Sequence, residues 1–147
     1  VVGGSMEPTL HSMDWVFITQ SEYEPAYGDI VVISQPNSYG QNIIKRVIAV
    51  GGQSVDINFS TGQVFVDGQE IYEPYINNAT TNHYDMTFPV TVPEGHVFVL
   101  GDNRNNSVDS RYVDSFYFGY SVGCIDKDYI MGKVFFRILP FEKFGVI

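Results

Sequence analysis

Short runs of apolar or alternating residues, each closed by Gly, Asn, Asp or Pro, recur along this chain. They fall at residues 15–19, 29–33, 43–50, 54–58, 63–66, 96–100 and 130–138. Runs this short, bounded this way and rich in Val, Ile, Phe and Thr, predict β-strands. Ser60-Thr61-Gly62 and Asp67-Gly68 predict tight turns joining strands of a meander. Two short helical pieces are predicted as well. One covers residues 6–11, with Pro8 tolerated near its start, and the other covers 126–130, with Asp126 as N-cap. Residues 73–94 are different: Asn, Thr, Pro and Tyr dominate and the periodicity is weak. So long a stretch without clear elements is functional or an excursion from the core.

Composition sharpens this into an all-β prediction. Ala and Leu are scarce, while Val, Ile, Phe and Tyr are plentiful. At 147 residues the chain can bury a substantial core. Its formal net charge of −9 argues against a nucleic-acid partner, which needs a basic surface. The one cysteine, Cys124, has no internal disulfide partner and reads as a small buried apolar residue. No stretch is long and apolar enough to cross a bilayer. His11, His83 and His96 are scattered without metal-ligand spacing, so no metal and no cofactor is expected.

Candidate chemistry lies in three blocks. The first is Ser5-Met6-Glu7-Pro8-Thr9-Leu10, preceded by Gly3 and Gly4. A serine hydroxyl needs a nearby base to become a nucleophile, and that base need not be histidine. The second block, residues 42–50, is an apolar run broken by Lys45 and Arg46. A lysine serves as the base if desolvation lowers its pKa towards neutrality. Read alone, Lys45 is a snorkelling surface lysine and Ser5 a helix cap. The third block, Gly101-Asp102-Asn103-Arg104-Asn105-Asn106-Ser107-Val108-Asp109-Ser110-Arg111, follows a clear strand.

Together the three blocks resemble the bacterial type I signal peptidase (leader peptidase) family, enzymes that remove leader peptides from exported proteins with a Ser/Lys dyad. Gly28-Asp29-Ile30-Val31-Val32 and Gly132-Lys133-Val134 match further family strands. The resemblance implies the all-β, coiled-sheet core shared by signal peptidases and SOS-type repressors. Residues 1–51 and 96–147 would form the catalytic core, and 52–95 a small inserted, non-catalytic β subdomain. It implies Ser5 as nucleophile, Lys45 as general base and Ser107 as the residue that orients the lysine. Gly3, Met6, Leu10, Ile44 and Val108 would line shallow substrate pockets, with core packing an equal reading for Met6, Leu10 and Ile44. Arg46, Asp102, Arg104, Asp109 and Arg111 would form structural ion pairs. Substrates would be exported preproteins with small residues one and three places before the cut, docked as an added strand along Val1-Val2-Gly3. The domain would face the outside of a bacterial membrane, held by a single-pass helix upstream of Val1. The apolar residues 139–147 would touch the lipid surface or form a buried tail.

The chain also departs from the family pattern. Ala49-Val50-Gly51-Gly52-Gln53 stands where Gly-Leu-Pro-Gly-Asp is usual, Asn105 stands for Asp, and Gly3 for a serine that helps bind the oxyanion in many members. About ten extra residues, 113–122, follow Tyr112 and carry Phe116, Tyr117, Phe118 and Tyr120. They read either as a hairpin packed on its own core or as a recognition element for a narrower substrate set. Two rivals follow. One is a self-cleaving repressor domain, opposed by the acidic charge and the third block. The other is a signal-peptidase-like assembly or binding factor with pilus-export components as partners.

Overall fold

The computed structural model describes residues 1–19, 23–37, 40–114, 116 and 119–147. Tyr117 and Phe118, singled out above, lie outside the described residues. Eleven strands are present among those described. They are β1 (Trp15–Ile18), β2 (Ile30–Ile33), β3 (Ile43–Val50), β4 (Ser54–Asn58), β5 (Gln63–Val66), β6 (Gln69–Glu70), β7 (Val90–Thr91), β8 (His96–Leu100), β9 (Ile125–Asp126), β10 (Ile130–Leu139) and β11 (Gly145–Val146). Every strand predicted from an apolar run is found within a residue or two. β6, β7, β9 and β11 have two residues each, too few to show a period. The short helix after Asp126 is a 3-10 turn, Lys127–Tyr129, and Asp126 caps it by accepting from the Asp128 N–H.

The larger sheet runs β1-β10-β2-β3-β8-β9, with β11 paired to β10. β10 serves two neighbours: its first residues pair with β2 and its later ones with β1. The switch is at Gly132, where an added Cβ would fall 1.9 Å from the Thr19 carbonyl oxygen. A side chain there would break the junction. β3 lies between β2 and β8 and is buried along nearly its whole length.

The second sheet, β6-β5-β4-β7, takes all its strands from between β3 and β8. Asp67 and Gly68 both have positive φ, 51° and 80°, as the turn joining β5 to β6 requires. This sheet does not close a core of its own. Its inner residues Val55, Ile57 and Val64 pack with Ile48, Ala49, Phe98 and Leu100 of the larger sheet. A register shift between Val47 and Ala49 turns both Ile48 and Ala49 into this shared core. Val47 goes to a different cluster, with Val31, Ile33, Val97 and Val99.

The C-terminal tail folds back through a 3-10 turn, Phe141–Lys143, onto β10. It is not buried: Phe141, Phe144 and Val146 are exposed, as are Trp15, Phe17 and Phe135 on the neighbouring strands.

Candidate active site

No helix forms over residues 6–11; Ser5 instead opens a hydrogen-bonded turn. Gly3 precedes it at φ 83°, a left-handed conformation suited to glycine. Leu10 N–H donates to the Met6 carbonyl at 2.9 Å, closing one turn behind the serine. Met6 and Leu10 anchor that turn in a core cluster with Ile30 and Val134. Thr9 ties it down from the other side, its hydroxyl donating to Asp102 and its carbonyl accepting from Arg137.

Lys45 reaches this turn from β3. Its Nζ lies 2.8 Å from Ser5 Oγ and 3.1 Å from the Ile44 carbonyl oxygen, both in hydrogen-bond geometry. The residue is only 4% exposed. Burial lowers its pKa from 10.5 to about 8, while the nearby Asp109 and Asp102 carboxylates pull it back up. Strand alternation sends the neighbouring Arg46 to the other face. There it makes a bidentate pair with Asp102, at 2.8 and 2.7 Å, donates to the Gly28 carbonyl at 2.7 Å, and lies 3.8 Å from the centre of the Tyr75 ring.

The third block packs directly against the serine. Asn103 N–H donates to the Ser5 carbonyl at 2.9 Å, and Asn103 Nδ2 donates to the Gly4 carbonyl at 3.1 Å. Gly101 allows that approach. A Cβ there would sit 2.1 Å from Ser107 Oγ and 2.6 Å from the Ser5 carbonyl oxygen. Asp109 pairs bidentately with Arg111, at 2.8 and 2.9 Å, and accepts from the Gly101 N–H at 3.1 Å. Burial pushes the Asp109 carboxyl up, but Arg111 outweighs it and, with Gly101 and Ser107 adding, holds it below the usual range. Arg104 pairs with Glu73 and also donates to Thr80 and to the Gly101 carbonyl. Arg104 and Arg111 are fully buried, so their polar atoms need these partners.

The residues singled out in the sequence are distributed as follows. Gly3, Met6, Ile44 and Val108 line one cavity of about 640 Å³ together with Ser5, Lys45 and Ser107. Leu10 does not line it. One turn behind Met6, it points into the core and is fully buried, so its place is in packing and not in a substrate pocket. Ser107 does not hold Lys45 in this arrangement. The lysine's partners are Ser5 and Ile44, and Ser107 Oγ is buried without a hydrogen bond in strict geometry. Its hydroxyl is close enough to Asp109 to help depress that carboxyl's pKa. Arg104 takes its carboxylate from Glu73, outside the third block.

Glu73, Thr80 and Tyr75 lie in the aperiodic stretch or at its start, where no pattern marked them. Asn103 acts partly through its backbone, which sequence does not display. Among the described residues no group of three His, Cys, Asp or Glu side chains is placed to hold a metal ion.

The profile of the family described as signal peptidase, peptidase S26, matches residues 1–139. The chain belongs to this family. Probable signal peptidase I-1 of Synechocystis is 38% identical to it, covering 96% of this chain and 70% of that protein. Signal peptidase I T of Bacillus subtilis is 34% identical over 97% of this chain and 74% of its own length. Mitochondrial inner membrane protease subunit 1 of Mus musculus is 34% identical over 99% and 70%. A crystal structure of a signal peptidase I from Enterococcus faecalis superposes with a TM-score of 0.57 at 30% identity, over 77% of this chain and 98% of that one. The all-β architecture is therefore that of a signal peptidase I, and the family is one of serine endopeptidases acting on signal peptides. Its members are membrane-anchored; among the described residues of this chain no helix is long and apolar enough to cross a membrane.

Proposed function

We propose that this chain removes signal peptides from exported preproteins, with Ser5 as nucleophile and Lys45 as general base. The observation that carries the reading is the 2.8 Å contact between Ser5 Oγ and the Nζ of a buried lysine. Neutral Lys45 takes the Ser5 hydroxyl proton as Oγ attacks the scissile carbonyl. The Ser5 N–H stabilises the oxyanion. Lys45 then hands its proton to the departing amine, leaving an acyl-enzyme. A water deprotonated by the same lysine hydrolyses the ester and restores Ser5. On this reading the Ser107 hydroxyl, which lies beside Asp109, turns to the transient ammonium and orients it.

Met6, Ile44 and Val108 give the cleft shallow apolar walls, which suits small residues one and three places before the bond. Residues 52–95 are non-catalytic on this reading. They supply Glu73, Tyr75 and Thr80 as braces for the third block and for Arg46, and no reacting group. The exposed Trp15, Phe17, Phe135, Phe141, Phe144 and Val146 support contact with a lipid surface, on the outer side of the membrane where preproteins emerge.

Mass spectrometry of a preprotein incubated with the chain, and with its Ser5→Ala and Lys45→Ala forms, tests this. One cut after a small residue is expected, lost in both variants with the fold intact. Full turnover by either folded variant refutes the pair. Binding without cleavage by the wild-type chain would instead favour an assembly factor for pilus export.

A further inference from the structure

Asn103 sits between two buried, ion-paired residues, Asp102 on Arg46 and Arg104 on Glu73. Its own place is fixed on three sides. Its carbonyl accepts from Asn106 N–H at 2.9 Å. Its N–H donates to the Ser5 carbonyl at 2.9 Å, and its side-chain Nδ2 donates to the Gly4 carbonyl at 3.1 Å. One buried residue therefore grips the peptide units on both sides of the Ser5 Cα.

The Gly4–Ser5 peptide bears on the chemistry, because it carries the Ser5 N–H. It is trans and planar, so its carbonyl and its N–H point in opposite directions. The Gly4 carbonyl has two donors, Asn103 Nδ2 and the Glu7 N–H at 3.2 Å. Neither Asn103 nor Glu7 lines the cavity of the Ser5–Lys45 pair, whereas Gly4 and Ser5 do. Holding the carbonyl from outside the cavity turns the N–H towards it. No acceptor among the described residues takes that N–H. Two glycines lead into Ser5, and a Gly-Gly step leaves a peptide freer to swing unless something holds it. Donors on the carbonyl also polarise the peptide, which makes its N–H a stronger donor.

We infer that Asn103 is a positioning residue for the oxyanion site: its amide pins the Gly4 carbonyl so that the Ser5 N–H faces the developing charge. The inference rests on the function proposed above. As Ser5 Oγ bonds to the scissile carbon, its proton passes to Lys45 and the carbonyl π electrons move onto oxygen. That oxygen meets an N–H already aimed and unable to turn away. The hydrogen bonds of Lys45 go to Ser5 and Ile44, so the Nδ2 contact bears on the oxyanion and not on the base.

The test isolates this one contact. Asn103→Ala removes the amide but keeps the backbone N–H that holds the Ser5 carbonyl. Asn103→Asp keeps the shape but presents oxygen to the Gly4 carbonyl in place of the donor. Deleting a whole oxyanion donor costs about 10²–10³ in kcat. With Glu7 still bonded to Gly4, kcat on the alkaline plateau should fall about tenfold to a hundredfold in both variants. In Asn103→Ala, KM should stay within about twofold and the midpoint of the pH profile should not move. The second readout is a leader peptide ending in an aldehyde, set against the same peptide ending in the alcohol. Ser5 Oγ adds to the aldehyde carbon and gives a tetrahedral adduct, while the alcohol only binds. The aldehyde's advantage should fall about tenfold in both variants, with alcohol binding kept.

A plateau kcat at the wild-type level in either variant overturns the inference, as does a loss shared equally by aldehyde and alcohol. A displaced midpoint in Asn103→Ala also overturns it, by placing the effect at the lysine. If the aldehyde binds wild type no tighter than Ser5→Ala, the Ser5 nucleophile is refuted and the inference falls with it. An aldehyde advantage that needs Ser5 but ignores Asn103 refutes the inference alone.

Discussion

Lys45→Met should make the protein more stable at neutral pH while removing its activity. The lysine's pKa falls from 10.5 to about 8 because the ammonium is buried. That fall corresponds to about 3 kcal/mol of destabilisation while the group is charged. In the pH window between these values the folded chain binds fewer protons than the unfolded one, so stability rises with pH across it. Below about 8 both states are charged and the full penalty applies; above 10.5 it has gone. Methionine matches the volume without the charge. It forfeits two hydrogen bonds, to Ser5 and Ile44, each worth about 1 kcal/mol net. The net gain at pH 7 should therefore be about 1 kcal/mol.

The pH dependence is the cleaner measure. Burial also pushes up the phenols of Tyr23, Tyr75 and Tyr112 and the thiol of Cys124. These groups lose their protons first in the unfolded chain, so they lower stability as pH rises through the alkaline range. Both proteins contain them, and the difference between wild type and Lys45→Met cancels them. Urea unfolding followed by intrinsic fluorescence from pH 6 to 10 would give that difference. It should shrink by roughly 2–3 kcal/mol between pH 7 and pH 10. A flat difference, or a Met variant less stable by several kcal/mol at pH 7, would mean that Lys45 is comfortably charged in the fold and cannot act as a resting base.

The pH profile of kcat/KM should rise with a midpoint near 8 and persist when His11, His83 and His96 are replaced together; a midpoint lost in that folded triple variant would point to a histidine base. Gly101→Ala should lower kcat/KM by about two orders of magnitude, because its Cβ would sit 2.6 Å from the Ser5 carbonyl and must displace the serine; wild-type kinetics would contradict this. Arg46→Gln leaves the Asp102 charge uncompensated and should move the kcat/KM midpoint up by as much as about one pH unit. Thermal melts should show an accompanying loss of about 3–5 kcal/mol. A uniform drop in rate with an unmoved midpoint would mark that pair as scaffolding alone.

How much was legible in the sequence depended on how local the signal was. β3 and β10 announce themselves as long apolar runs, and the turn at Asp67-Gly68 as residues that tolerate positive φ. The two-residue strands carry no period, and their pairing is decided by neighbours distant in sequence. Lys45 and Arg46 show both regimes in adjacent positions. Alternation alone puts them on opposite faces, but nothing local says that one face meets Ser5 and the other Asp102. Those partners are 40 and 56 residues away and were suggested only by resemblance. Glu73 was missed for the same reason, being 31 residues from Arg104 in a stretch without pattern. Leu10 was left between pocket and core, and the structure puts it in the core, because a motif gives the order of residues but not which way a single turn faces.

The buried charges of the third block have a further consequence for the lysine. Asp102 and Asp109 are close enough to raise the pKa of Lys45, against the burial that lowers it. Two bare carboxylates in that position would favour the ammonium and defeat a neutral base. Each carries a bidentate arginine instead, Arg46 on Asp102 and Arg111 on Asp109. Buried ion pairs seldom add net stability over a well-packed apolar core. Their presence here is better explained by placement: they hold rigid polar backbone against the Ser5 carbonyl while keeping the field at Lys45 weak. Desolvation can then prevail, so Lys45 gives up its proton more readily than an ordinary lysine, as the proposed base requires.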